Sequence, residues 1–410
     1  MGRCFADLGR DVLSQRQTNR AHSKYSFLTM GKGGEKQEDP GTSSAPLAEN
    51  VDGPRKDFHW DEGGEPHALR KAEILKAHPE IRELMGPDPM TKYQVFAVVA
   101  AQVAMAWWAS RQSWRVLVPV AYLLGGAANC NLQLGMHEIS HNLAFKFSTK
   151  RGMVLNRLLS LVANLPLGIP AAISFRKYHL EHHRYQGHDV VDVDVPCDWE
   201  GWFFRSPARK FLWCLLQPAF YALRPLATNP KPMLAWEAVN IVVQLAFDYA
   251  IFSLWGVKAL VYLVAGTLLG MGVHPTAYHF ISEHCVFVDG YETYSYYGPF
   301  LNAIMYNVGY HNEHHDFPNV PGSRLHRVKE IAPEFYDHLP SHDSWFTVYR
   351  DYIFREDINP FSRVKRAKLG LPPGPDADAP RAAAGYVNKT VDDMKAAVAA
   401  NKAKKTTKAE

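Results

Sequence analysis

Cysteine is scarce in this chain: five residues in 410, at positions 4, 130, 197, 214 and 285, scattered and odd in number. Neither a disulfide framework nor a cysteine-based zinc site follows from them. Net charge is also small. Lys and Arg number 45 against 41 Asp and Glu, which leaves +4, and no basic stripe alternates with exposed aromatics as on a nucleic-acid surface. The first 30 residues lack an apolar run and carry charges every few positions, which argues against a cleaved secretory signal. Gly2 follows the initiator methionine, yet Ala6 stands where an N-myristoylation motif asks for Ser or Thr. Large apolar side chains are sparse over residues 1–56 and 369–410. Both tails are expected to be disordered, because they bury too little to offset the entropy of ordering.

The mean hydropathy of −0.23 suggests a soluble protein, but it averages polar tails with an apolar middle. Residues 93–110 and 114–136 are long apolar runs separated by three residues, and 234–256 and 259–281 form a second such pair. Each has about the 18 to 25 residues that cross a hydrocarbon core of about 30 Å. The pattern predicts two transmembrane hairpins, with both termini and the segment 137–233 on one side of the membrane. That segment is rich in Lys and Arg, from Lys146 and Lys150 to Arg224 and Lys231, whereas the opposite turns offer little beyond Arg111, Arg115 and Lys258. The charge asymmetry makes the central segment cytosolic. Within it, 153–175 and 211–223 are apolar but broken by Pro166, Pro170 and Pro218, and are expected to lie in the interface.

Of 19 histidines, eight fall in three tight groups: His137 and His141 in "HEISH"; His179, His182 and His183 in "HLEHH"; His311, His314 and His315 in "HNEHH". On a helix, positions i, i+3 and i+4 share one face, so each such group presents imidazoles together. "HEISH" by itself satisfies the zinc metalloprotease pattern, with Glu138 as general base. Eight imidazoles are too many for one tetrahedral zinc. They suit two metals, and neutral nitrogen donors without thiolate fit iron; Glu138 then becomes a group behind the ligands. A ninth ligand is expected from "HPTAYHFISEH", which holds His274, His279 and His284. His279 and His284 point about 140° apart on an unbroken helix, so one or the other is expected to bind; the spacing leaves open which.

The strings "HEISH", "HLEHHRYQG", "DVDVPCDWEGWFF" and "GYHNEHHDFPNVPGSRL" resemble those of the membrane fatty acid desaturase superfamily, and within it of the sphingolipid (dihydroceramide) delta-4 desaturases. The likeness runs from about Asp57 to about Lys368, with 57–92 as the N-terminal region of that group and 93–368 as the desaturase domain. The resemblance implies an all-helical membrane fold of four spans under a cytosolic helical cap that carries the histidine boxes. It implies two irons held by His137, His141, His179, His182, His183, His311, His314 and His315 with His279 or His284; Glu138 is kept as the candidate catalytic residue on the H-E-x-x-H string alone. The activity implied is a dioxygen-dependent removal of two hydrogens from C4 and C5 of the sphingoid base of dihydroceramide, giving ceramide. No H-P-G-G motif of a fused haem domain occurs, so electrons are expected from NADH through cytochrome b5 reductase and a separate cytochrome b5, at the endoplasmic reticulum membrane. C4 hydroxylation at the same site is the near alternative; an intramembrane zinc protease and a non-enzymatic histidine-rich binding protein are distant ones.

Overall fold

The computed structural model describes residues 54–146 and 149–367; the remainder of both tails, for which disorder was expected, lies outside the described residues. Helices dominate. The described strands are two-residue pieces: His59–Trp60 pairs in parallel with Val364–Lys365, and Ser295–Tyr296 with Ser341–His342. The first pair ties the start of the described chain to its end.

By length and apolarity, Ala235–Trp255 qualifies as a membrane crossing. Two bent pairs also qualify if each is one span: Lys150–Leu167 with Ala172–Arg184, bent by 113°, and Val257–Gly270 with Pro275–Ser282, bent by 51°. The run expected as a span at 114–136 is split into Trp114–Val120 and Gly126–Ser140 by a π turn at Ala121–Gly125. Pro119, inside the first piece, has no N–H to continue the α ladder, and an i→i+5 turn follows it. Met90–Ala109 is continuous. The outward side chains of Ala235–Trp255, among them Val242, Leu245, Phe252 and Leu254, are exposed apolar groups, as expected of a helix in lipid.

The helices meet through small residues and buried amides. A Cβ on Gly126 would lie 2.9 Å from the Gly270 Cα, so Gly126–Ser140 and Val257–Gly270 cross almost backbone to backbone. Beside that crossing the Asn129 amide donates to the Leu263 carbonyl at 3.0 Å and the Thr267 hydroxyl at 2.9 Å, and its oxygen accepts from Gln102. Each partner saves a buried polar group from the cost of lying unpaired in an apolar interior.

Lys150–Asn164, expected as an interfacial helix, packs on Met90–Ala109 and Gly126–Ser140 through Leu159 and Ala163. Pro166 and Gly168, at φ +70°, then turn the chain sharply. The Asn164 side-chain oxygen accepts the Ala171 and Ala172 N–H groups at 2.8 and 2.7 Å. It thereby caps Ala172–Arg184, and that helix carries the second histidine group. The region expected as one interfacial segment at 211–223 is two helices, Pro207–Leu215 and Gln217–Thr228. They are held to Asp198–Phe203 by Glu200, which accepts from Arg224 Nε and Nη2 at 2.8 Å each and from the Trp213 indole at 2.8 Å.

Candidate metal centre

Box one lies at the end of Gly126–Ser140, where His137 is in the last turn and His141 forms the cap. Box two occupies the second half of Ala172–Arg184. Box three makes up most of the six-residue helix His311–Asp316. His284 follows the one-turn helix His279–Ser282.

The tertiary structure sorts these side chains differently from the sequence. Ligand nitrogens of His137, His141, His179, His183 and His314 gather within 4.8 Å of one another, and those of His182, His284 and His315 form a second group. His311 joins the second through its Nε2, 2.9 Å from His284 Nε2. Boxes two and three are therefore each shared out: the i, i+4 pair His179 and His183 faces one group while His182 faces the other, and His314 is parted from His311 and His315. The result is five nitrogens in one cluster and four in the next.

The contacts within each cluster fit a bound cation. His179 Nε2 lies 3.0 Å from His141 Nε2 and 3.1 Å from His183 Nε2, which is itself 3.1 Å from His314 Nε2. In the second group His182 Nε2 is 3.1 Å from His284 Nε2. A neutral imidazole has one N–H, so a chain of facing nitrogens leaves lone pairs pointed at one another, and a metal ion is the natural common partner. Burial first, then repulsion by neighbouring charged groups, holds His141, His179, His183, His284, His311, His314 and His315 well below the usual imidazole range. They stay neutral, the form that ligates.

Groups behind the rings aim them. His182 Nδ1 donates to Asp192 Oδ1 at 3.0 Å, with Asp194 Oδ2 at 3.6 Å. Burial pulls this imidazole down, but the two carboxylates outweigh it and raise the pKa to about 9. His284 Nδ1 faces the Glu292 carbonyl at 3.3 Å, and His311 Nδ1 lies 3.4 Å from Glu283 Oε1. Such partners fix ring orientation and raise ligand basicity.

The family model described as Fatty acid desaturase matches residues 112–346. A second, described as Sphingolipid Delta4-desaturase (DES), matches residues 54–90. The chain belongs to the fatty acid desaturase family, in its sphingolipid delta-4 branch. Among curated relatives, the sphingolipid delta(4)-desaturase/C4-monooxygenase DES2 of Rattus norvegicus is 53% identical over 312 residues, covering 76% of this chain and 95% of its own length. The protein of the same description from Homo sapiens is 53% identical over 321 residues, 77% of this chain and 98% of its own. The sphingolipid delta(4)-desaturase DES1 of Gallus gallus is 50% identical over 316 residues, 77% and 97%. This desaturase is an oxidoreductase of a membrane-associated family that works with iron, and its two histidine groups suit that metal.

Glu138 of the desaturase is buried. Its Oε2 accepts the Gly322 N–H at 2.9 Å, and Oε1 lies 3.8 Å from His137 Nδ1. His279 stands apart from both clusters, with Nε2 3.8 Å from the Cys130 sulfur and Nδ1 3.5 Å from Glu283 Oε1. His274 has its Nδ1 hydrogen-bonded with the Thr276 hydroxyl at 2.6 Å.

Beside the clusters is a cavity lined by His137, His179, His182, His284 and His311, with Phe175, Trp213, Tyr221 and Phe280 as its apolar walls. Sequence reasoning missed two features of this region. One is Gln133, on the cavity wall, whose only signal was its place four residues before His137. The other is His67, whose Nδ1 meets Asp316 Oδ1 at 2.8 Å behind box three; nothing in its spacing linked it to residues 249 positions away.

Proposed function

We propose that this desaturase introduces a trans double bond between C4 and C5 of the sphingoid base of dihydroceramide, giving ceramide. The observation that carries the reading is the gathering of nine imidazoles into two adjacent clusters beside one cavity, in a chain about half identical to named sphingolipid delta(4)-desaturases. His137, His141, His179, His183 and His314 hold one iron and His182, His284, His311 and His315 the other; His279 is assigned to the cavity wall. Iron there supplies the redox chemistry that reduces dioxygen and takes hydrogen from an unactivated methylene, which no side chain can do. One dioxygen, two donor electrons, two protons and two substrate hydrogens balance as two waters.

The chain's own residues position. Asp192, Glu283 and the Glu292 carbonyl orient imidazoles. Glu138 accepts the Gly322 N–H beside His137 and acts as a positioning residue. Phe175, Trp213, Tyr221 and Phe280 give the cavity an apolar wall that receives a lipid chain.

The four apolar stretches at 93–110, 114–136, 234–256 and 259–281 are assigned as two hairpins in the endoplasmic reticulum membrane, with a helical cap, both termini and the clusters on the cytosolic side. Within this arrangement 57–92 is the sphingolipid delta-4 region and 93–368 the desaturase domain. Electrons come from NADH through cytochrome b5 reductase and a separate cytochrome b5. A second product has a specific basis: the rat and human relatives carry C4-monooxygenase in their names, and hydroxylation at C4 differs only in whether oxygen returns to carbon or a second hydrogen leaves.

The test is expression of the full chain in cells that lack dihydroceramide desaturation, with sphingolipids resolved by mass spectrometry. Ceramide is the expected product, with a C4-hydroxylated species as the alternative. Unchanged dihydroceramide, in cells where the protein is membrane-inserted and iron-loaded, would overturn the reading.

A further inference from the structure

Gln133 is buried at 6% exposure on the Gly126–Ser140 helix. It lies one turn before His137, so the two side chains share a helix face, and both line the cavity. Gln133 Oε1 is buried with no hydrogen-bond partner among the described residues. Three other polar side chains of the lining are engaged: Gln217 donates to the Trp213 carbonyl, Arg224 to Glu200 and Arg363 to the Asp194 carbonyl; Glu283 Oε1 has no hydrogen bond but lies 3.5 Å from His279 and 3.4 Å from His311. A buried amide oxygen with no partner costs stability, and Gln133 lines the space where a ligand must lie.

A saturated hydrocarbon chain offers no feature to stop it sliding past a metal, since each methylene is like the next. Choosing one carbon pair requires an anchor at a set distance from the reacting site, and positioning of this kind can dominate selectivity. In a sphingoid base the C3 hydroxyl sits one carbon from C4. With C4 and C5 at the clusters, that hydroxyl lies in the same cavity and needs a partner. An amide is suited to it in either orientation, donating through Nε2 or accepting through Oε1.

We propose that Gln133 holds the C3 hydroxyl of the sphingoid base and so selects C4–C5 as the bond presented to the metal centre. It is a specificity-determining residue, and the assignment rests on the sphingolipid desaturase reading above.

The test compares the full-length wild type with Gln133→Leu, similar in volume but without hydrogen-bonding groups, and with Gln133→Met as a second variant should Leu disturb the fold. Bound iron and the thermal melting curve report on folding. Substrates are dihydroceramide and its 3-deoxy and 1-deoxy analogues. Loss of a buried hydroxyl's only partner lowers kcat/KM for dihydroceramide by about 10- to 100-fold, and desaturation spreads to bonds beyond C4–C5. The wild type discriminates against the 3-deoxy analogue by a similar factor, and the variants lose nothing more on it. With the 1-deoxy analogue the effect of the substitution persists in full. Variants that keep the wild-type preference for the 3-hydroxyl, or an effect that vanishes with the 1-deoxy instead of the 3-deoxy analogue, overturn the assignment. Equilibrium binding of the same lipids to iron-free protein separates this failure from that of the underlying reading. Wild type that discriminates in binding through Gln133 yet forms no ceramide refutes the desaturase reading alone; wild type that forms ceramide with Gln133-independent binding and selectivity refutes the role of Gln133 alone.

Discussion

His67 and Asp316 meet at 2.8 Å between Nδ1 and Oδ1, both buried, and they join the N-terminal segment to the end of the third histidine box. Arg70 Nε donates to the other carboxylate oxygen at 2.7 Å, the Tyr336 hydroxyl donates to that oxygen at 2.8 Å, and His67 Nε2 bonds the Thr293 hydroxyl at 2.9 Å. The His67 ring lies 4.8 Å from the His315 ring, centroid to centroid. The segment matched by the Sphingolipid Delta4-desaturase description thus forms a wall behind the metal site. We predict that Asp316→Asn, by loosening His67 behind His315, lowers desaturation and iron retention by about 10-fold, the lower end of what loss of groups behind metal ligands costs. Measurement of iron per chain after gel filtration checks this, and iron content equal to the wild type would refute it.

Histidine replacements should divide by position. Alanine at any of His137, His141, His179, His182, His183, His284, His311, His314 or His315 is expected to abolish desaturation and lower bound iron while the protein still inserts in the membrane. His279→Ala should keep its full iron complement, because this side chain faces Cys130 and Glu283 instead of a cluster. Elemental analysis of the His279 and His284 variants side by side decides between them; iron lost from the His279 variant and kept in the other would reverse the assignment.

Glu138→Gln tests the zinc-protease string directly. A general base removed from a hydrolase commonly costs about 10² to 10⁴ in rate. A carboxylate that only accepts the Gly322 N–H beside His137 can be replaced by an amide that still accepts a hydrogen bond, with a loss of about 10- to 100-fold. Residual ceramide formation with bound iron is expected. Iron kept and activity wholly lost would return Glu138 to a direct chemical role.

The Glu200–Arg224 pair is a stability element, buried on both sides. Glu200→Leu leaves Arg224 charged and unpaired, which costs about 3 to 5 kcal/mol, and should lower the melting transition in detergent. Burial pushes the Glu200 carboxyl up, but the hydrogen bonds and charge of Arg224 outweigh it, so it is held below the usual carboxylate range. A depressed folded-state value means the pair stabilises fully above the unfolded carboxylate pKa and loses that contribution as pH falls through the folded one. Melting curves over that acid range should therefore converge for wild type and variant, and a constant gap between them would exclude this account.

Much of this protein was legible in its sequence because it is local. The i, i+3 and i+4 spacing of imidazoles, and the apolar stretches with their charge asymmetry, depend on residues close in the chain. The expectation of two metals followed from counting donors: eight imidazoles with no thiolate are more than one tetrahedral zinc can hold. What the tertiary structure alone decided is how those donors are shared. The sequence groups His179 with His182 and His183, whereas the fold sends His182 to the other cluster, because which facing helix a side chain meets is set by packing. The same reason separates His284 from His279, brings His67 to Asp316 across 249 positions, and leaves Gln133 Oε1 without a hydrogen-bond partner at the wall of the cavity.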